Sequence, residues 1–233
     1  MFKKVMAKII GGNTLYYPGC LTKTVLPDIQ SRYEKILRQI GVDFIMLPDK
    51  ELCCGSPVIK AGYLQDFADL KEKNLAIFKK YNVTKIITNC PACFNIFKNN
   101  YGLRVEHITE ILVKKVSKIK AAWPSAQPIT YHDPCHLGRY NGIYQEPRKI
   151  LKDMGYQIAE FPCALDKSRC CGAGGGVKTN NPDLANKVAN NVLSQVKTKK
   201  LVSPCPLCYL QFKENAPSDL AVLELSELIW CRN

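Results

Sequence analysis

Two stretches decide how this chain folds: Lys85-Ile86-Ile87-Thr88-Asn89-Cys90-Pro91-Ala92-Cys93-Phe94-Asn95-Ile96-Phe97-Lys98 and Leu201-Val202-Ser203-Pro204-Cys205-Pro206-Leu207-Cys208-Tyr209-Leu210-Gln211-Phe212-Lys213. Each opens on a short apolar run that reads as a strand. Each then meets a Cys-Pro-x-Cys that opens a helix, with the proline in a first turn where its missing N–H costs little. Cysteines at i and i+3 of a helix start share a face, so their sulfurs can reach one centre.

Working outward, the two stretches belong to a repeat. The first half carries Cys20, then Cys53-Cys54-Gly55, then Cys90 and Cys93. The second carries Cys135, then Cys170-Cys171-Gly172, then Cys205 and Cys208. Equivalent cysteines lie 115 (Cys20 to Cys135), 117 (Cys53 to Cys170) and 115 (Cys90 to Cys205) residues apart. Tyr16 matches Tyr131, four positions before the first cysteine of each half, and Val105–Ile111 parallels Val222–Leu228. The expectation is one unit duplicated, as domains 1–120 and 121–233, with a proline-bearing linker over 118–128.

Within each half the pattern is strand, helix, strand, helix, strand, helix. Strands are expected at Thr14–Tyr17, Phe44–Leu47 and Lys85–Thr88, and at Ile129–Tyr131, Gln157–Phe161 and Leu201–Ser203. Helices are expected at Asp28–Gln39, Tyr63–Lys80, Glu146–Met154 and Asp183–Lys197, the first and third stopped by Gly41 and Gly155. Such alternation predicts an α/β fold: two Rossmann-like parallel-sheet domains. The repeated cysteines follow strands, so they gather at the carboxyl edge of each sheet.

Five thiols per half exceed the four of a closed zinc site. Neighbouring side chains of an extended segment point to opposite sides, whereas two sulfurs on one zinc lie about 3.8 Å apart. A vicinal pair is therefore a poor fit to one ion. It suits a group with several irons, and five thiolates point to an open or irregular cluster with one bridging sulfur. Gly55, Gly172, Gly174 and Gly175 read as backbone passing close to that group. No Walker lysine accompanies these glycines, and no nucleotide or flavin is expected in this chain.

The chain has 233 residues, twelve of them cysteine, and a formal charge of +13. No signal-peptide core and no run of about 18 apolar residues is visible, which predicts a cytoplasmic protein with reduced thiols and without direct membrane insertion, leaving membrane association through a partner as the alternative. The basic balance brings no nucleic-acid reader motif, so nucleic acid is not an expected partner. Two [4Fe–4S] cores of charge about +2, each on five thiolates, would lower the net charge to about +7. Part of the basicity balances the cofactor on this reading.

The two five-cysteine patterns, with Tyr16-Tyr17-Pro18-Gly19-Cys20 and His132-Asp133-Pro134-Cys135-His136, resemble the cysteine-rich CCG domains of the B- and D-type subunits of heterodisulfide reductase. Similar paired domains occur in the iron–sulfur subunits of glycolate oxidase, lactate-utilisation enzymes and anaerobic glycerol-3-phosphate dehydrogenase. The resemblance implies two CCG domains related by pseudo-twofold symmetry. It implies a noncubane [4Fe–4S] cluster on Cys20, Cys53, Cys54, Cys90 and Cys93, and another on Cys135, Cys170, Cys171, Cys205 and Cys208. The two clusters would face each other and split a disulfide. Larger members carry an N-terminal ferredoxin-like region that this sequence lacks, which implies a separate ferredoxin-like subunit or flavoprotein dehydrogenase as electron partner.

Outside the cysteines, His132 and His136 bracket a ligand position and read either as proton-delivering groups or as turn stabilisers. Lys60, Arg139 and Lys178 are candidates to receive a substrate carboxylate or phosphate, against the ordinary reading of solvated surface. Cys163 and Cys231 fall outside the repeat and read as structural or incidental. Two other classes stand beside the redox subunit. One is a zinc-stabilised scaffold; the other is a thiol exchanger, since strand–CPxC–helix is similar to a thioredoxin active site.

Overall fold

A computed structural model describes residues 11–121 and 128–230; Met1–Ile10, most of the expected linker and Cys231 lie outside the described residues. In the first half, β1 (Asn13–Tyr16), β2 (Val83–Thr88) and β3 (Arg104–His107) form a parallel sheet in the order β1-β2-β3. After β4 (Lys120–Ala121), the second half contains β5 (Ile129–Tyr131), β6 (Ile158–Glu160), β7 (Lys200–Ser203) and β8 (Ala221–Glu224), parallel in the order β6-β5-β7-β8. β9 (Ile229–Trp230) pairs antiparallel with β4, tying the end of one half to the end of the other.

The expected strand Phe44–Leu47 contracts to a single parallel bridge, Leu15 to Ile45, held by Tyr16 N–H to Ile45 O at 3.0 Å and Ile45 N–H to Thr14 O at 2.8 Å. Its position beside β1 matches that of β6 beside β5. The ladder goes no further because Phe44 turns edge-on to Tyr16 at 5.7 Å and takes the Arg38 guanidinium on its face, while Pro48 has no N–H to extend it. Sequence reading left out β3 and β8, four-residue strands that end directly in helix caps. The helix expected at Asp183–Lys197 stops at Leu193.

Helix Pro27–Gln39 starts on a proline with Asp28 in its first turn and buries Ile29, Tyr33, Ile36 and Leu37 along one stripe. It packs against the 3₁₀ turn Leu225–Leu228 of the other half. Its counterpart in the second half, helix Gln145–Asp153, packs against helix Ile108–Lys114 of the first. The contacts are thus exchanged between halves, as a pseudo-twofold relation requires. One apolar core runs across both, from Tyr16, Tyr33 and Leu37 to Leu151, Val202 and Phe212.

The two terminal turns are capped alike. His107 accepts from Thr109 N–H while Glu110 accepts from His107 N–H; Glu224 accepts from Ser226 N–H while Glu227 accepts from Glu224 N–H. Glu224 also accepts a 2.7 Å hydrogen bond from Tyr33 of the other half, and it is fully buried. Burial pushes its carboxyl up to about 7, against the hydrogen bonds from Ser226 and Tyr33. A carboxyl raised in the folded state binds more protons there than in the unfolded chain, so stability falls as pH rises from about 4.5 to about 7. The loss is expected to reach at most about 3 kcal/mol. Urea midpoints measured across this window should show the decline in the native protein and a flatter profile in Glu224→Gln.

Candidate metal centre

Helices Pro91–Asn100 and Pro206–Asn215 carry the CxxC pairs, with Cys90 and Cys205 as N-caps in extended conformation. A helix start aims free N–H groups and partial positive charge at nearby sulfur, which favours thiolate. In the first half the thiols touch in sequence: Cys20 with Cys53, Cys53 with Cys54, Cys54 with Cys93, Cys93 with Cys90. In the second the order is Cys135, Cys170, Cys171, Cys208, Cys205, with the Cys208 and Cys171 sulfurs 3.2 Å apart. All ten repeated cysteines are brought together, five and five. Cys163 belongs to neither set.

Burial is graded within each set. Cys54 and Cys93 are 3% exposed and Cys171 and Cys208 3–4%, whereas Cys20 is exposed and Cys53, Cys135 and Cys170 are half-buried. Each site is sealed at the second cysteine of its vicinal pair and the second of its CxxC, and the first site is open at Cys20. Hydrogen bonds from neighbouring thiols favour the thiolate at some of these sulfurs, Cys90 among them through Cys93. Cys54 is pulled down to about 5 by hydrogen bonds from Cys53 and Cys93, and Cys170 is held well below the usual thiol range by Cys135 and Cys171.

Backbone anchors hold the vicinal pairs in place. Tyr17 OH donates to Leu52 O at 2.6 Å, Asn74 Nδ2 to Cys53 O at 2.9 Å and Tyr101 OH to Cys54 O at 3.1 Å. In the second half His132 occupies the position of Tyr17, and its Nε2 donates to Arg169 O at 3.0 Å, again the carbonyl preceding the pair. That carbonyl can only accept, so His132 Nδ1 accepts from Ser203 Oγ at 3.4 Å. Burial lowers the imidazole's proton affinity, keeping it neutral. This is the turn-stabilising role. His132→Phe keeps the ring against Phe212 but strands the carbonyl; it should lower stability by about 1–3 kcal/mol, read from urea midpoints.

Among the glycines, Gly55 and Gly172 adjoin the sulfurs: their N–H groups point to Cys53 and Cys170 Sγ, each at 3.4 Å. Their backbones have φ of +90° and +87°, and an added Cβ would fall 2.6 Å from the Phe67 ring or from Ala185 O. The close approach at these two is to packing helices. Gly174 and Gly175 meet nothing within 4 Å of an added Cβ. Gly19, unassigned from sequence, is the glycine that passes over thiols: an added Cβ would lie 3.1 Å from Cys93 Sγ.

The sequence reading also missed what holds Cys135. Asp133, two residues before it, receives both Arg148 Nη atoms at 2.6 and 2.7 Å and Leu165 N–H at 2.9 Å; its own carbonyl accepts from Ser168 Oγ at 3.1 Å. Asp133 thus ties the Cys135 loop to the turn that leads to Cys170. Arg148 is 4% exposed and further holds Glu160 and Tyr144 O. The available signal was a charged residue on the buried stripe of an otherwise amphipathic helix.

The four remaining candidates part company. Lys178 is committed to Glu214. Lys60 bonds to His136 Nε2, and His136 Nδ1 lies 3.3 Å from Cys135 Sγ. An ammonium can only donate, so Nε2 accepts and Nδ1–H points to the sulfur. Burial and the neighbouring ammonium push His136 down to about 4. Lys60, itself lowered by burial, feels Cys135 of one site and Cys54 and Cys90 of the other. Arg139 lines a hollow beside Cys170.

Among the described residues no three His, Cys, Asp or Glu side chains are arranged to hold a single metal ion. The donor chemistry is all sulfur, five thiols in a contiguous row with amide N–H groups on them, which fits a multi-iron group. No helix among the described residues is long and apolar enough to cross a membrane.

Fold and donor set together define a duplicated cysteine-rich α/β protein with one five-thiol site per half. The model of the cysteine-rich domain (CCG) matches residues 14–98 and 129–213. The chain belongs to this family. It is 33% identical over 93% of its length to the D-type subunit of the dihydromethanophenazine:CoB–CoM heterodisulfide reductase of Methanosarcina acetivorans, covering 57% of that protein. It is 33% identical over 94% of its length to the B-type subunit of the fumarate reductase (CoM/CoB) of Methanothermobacter marburgensis, covering 46%. It is also 32% identical over 93% of its length to the EtfAB:quinone oxidoreductase of Syntrophomonas wolfei, covering 34%. The chain therefore spans about half the length, or less, of these curated relatives.

Proposed function

We propose that this chain is a heterodisulfide-reductase-like iron–sulfur oxidoreductase subunit. Its two domains, 1–120 and 121–233, each hold one noncubane [4Fe–4S] cluster on their five cysteines. The observation that carries the reading is the pair of complete five-thiol rows, with the Lys60 ammonium near Cys135 of one and Cys54 and Cys90 of the other. Relatives named as subunits of a heterodisulfide reductase and of a fumarate reductase (CoM/CoB) support it.

Bound clusters supply one-electron redox chemistry, and two of them together match the two electrons needed to cleave a disulfide. The balanced reaction takes RS–SR′, two electrons and two protons to RSH and R′SH. The chain's own residues exclude water behind Cys54, Cys93, Cys171 and Cys208, and leave Cys20 exposed and Cys135 half-buried. The Lys60 ammonium supplies positive charge and the proton for a departing thiolate, passed through the neutral His136 ring, whose Nε2 takes a proton from Lys60 as its Nδ1–H is given up beside Cys135. Electrons come from a ferredoxin-like iron–sulfur subunit or a flavoprotein dehydrogenase. The work takes place in the cytoplasm.

A second reading is favoured by the similarity to EtfAB:quinone oxidoreductase. Here the same clusters relay electrons for a flavin-dependent hydroxy-acid or glycerol-3-phosphate dehydrogenase and no disulfide binds. Titrating the reduced, cluster-loaded protein with disulfides separates the two. Direct chemistry predicts altered cluster spectra at stoichiometric disulfide and two thiols released per disulfide. Pure relay predicts unchanged spectra with disulfides but reoxidation by a flavoprotein. Inertness toward both would remove the redox assignment.

A further inference from the structure

A hollow of about 530 Å³ opens beside Cys170, and four cations line it: Arg139, Lys167, Arg169 and Lys187. Asn191 and Ser168 are among the other lining residues, and no carboxylate is. Among the described residues none of the four cations takes part in an ion pair. Each arginine is instead held by a neutral acceptor: Arg169 Nη1 donates to Asn191 Oδ1 at 2.6 Å and Arg139 Nη1 to Ser168 O. The guanidinium planes are thereby fixed while their other N–H donors stay available, an arrangement suited to carboxylate or phosphate oxygens.

The duplication supplies a control inside the same molecule. Four positions after the first cysteine, Arg139 corresponds to Thr24; directly before the vicinal pair, Arg169 corresponds to Leu52; Lys167 corresponds to Lys50. The sulfur framework is repeated in both halves and the arginines are not. A set of cations needed merely to balance an anionic sulfur site would recur with that site. Four like charges around one open volume repel one another, and a bound anion relieves that repulsion.

We propose that this hollow is a binding site for a small-molecule dianion, a phosphate or dicarboxylate, present in the second half alone. The inference does not depend on the redox assignment, since it uses none of the chemistry of the sulfurs. Isothermal titration of the full chain, purified anaerobically, with inorganic phosphate and with succinate at low ionic strength tests it.

At least one probe is expected to bind at a single saturable site with a Kd near or below about 1 mM, about −4 kcal/mol. The double change Arg139→Thr with Arg169→Leu, which installs the first half's residues, should weaken it at least tenfold. Because Arg139 supports a turn, Lys167→Ala with Lys187→Ala serves as an independent variant and should weaken it by a similar factor. Lys149→Ala, an exposed lysine paired with Asp153 and not among the lining residues, should change nothing. Absence of saturable binding, affinity within twofold of native in both double variants, or an equal loss in Lys149→Ala would overturn the proposal.

Discussion

Asp133→Ala should lower the unfolding free energy by about 3–5 kcal/mol, the range for breaking a buried ion pair by removing one partner. Asp133 is 3% exposed and receives a two-pronged hydrogen bond from Arg148, which also lies over the Tyr131 ring at 4.7 Å. Removing the carboxylate leaves the guanidinium buried with Glu160 as its remaining acid, and that side chain is 41% exposed. Leu165 N–H loses its acceptor as well. Glu160→Ala removes a partner that water can replace and should cost less than about 1 kcal/mol. Urea titrations of the two variants beside the native protein check this contrast. Equal losses would mean that Asp133 does not anchor the Cys135 loop.

The second large effect concerns metal content. Cys171 is 3% exposed, touches Cys170 and Cys208, and has no solvent route to a substitute ligand. Cys171→Ala should empty the second site and leave the first loaded, halving bound iron from about eight to about four per chain. Cys54→Ala should do the same to the first site. Cys163→Ala, outside both rows, should leave iron unchanged. Iron and acid-labile sulfide assays on anaerobic preparations give the numbers; loss of all iron from either single variant would show the two sites to be interdependent.

Much of this architecture was legible because the repeat is written in cysteine. The offsets between equivalent cysteines gave the duplication, and strand-then-CPxC gave the placement of each helix start. Apolar stripes gave helices Pro27–Gln39 and Gln145–Asp153 to within a residue or so. Phe44–Leu47 misled because a four-residue apolar run has no way to declare that Phe44 will turn toward Tyr16 and Arg38. Strands β3 and β8 stayed hidden because each is short and runs straight into a capping residue, His107 or Glu224.

What holds the site was less visible, and the reason is distance along the chain. Tyr17, Asn74 and Tyr101 converge on Leu52, Cys53 and Cys54 from three elements, and no local pattern joins them. The equivalence of Tyr17 and His132 was readable from the register of the repeat, but chemically unlike side chains conceal their shared role. Lys60 and His136 are 76 positions apart and meet across the two halves. Only the exchanged helix packing brings those loops together. Lys178, drawn in by its nearness to Cys170 and Cys171, points instead to Glu214.

The most direct test of two multi-iron centres on ten thiols is the composition of the native protein purified without oxygen. The account predicts about eight irons and about eight acid-labile sulfides per chain, with broad visible absorbance that bleaches on reduction. Two zinc ions in a colourless protein, or iron without inorganic sulfide, would contradict it.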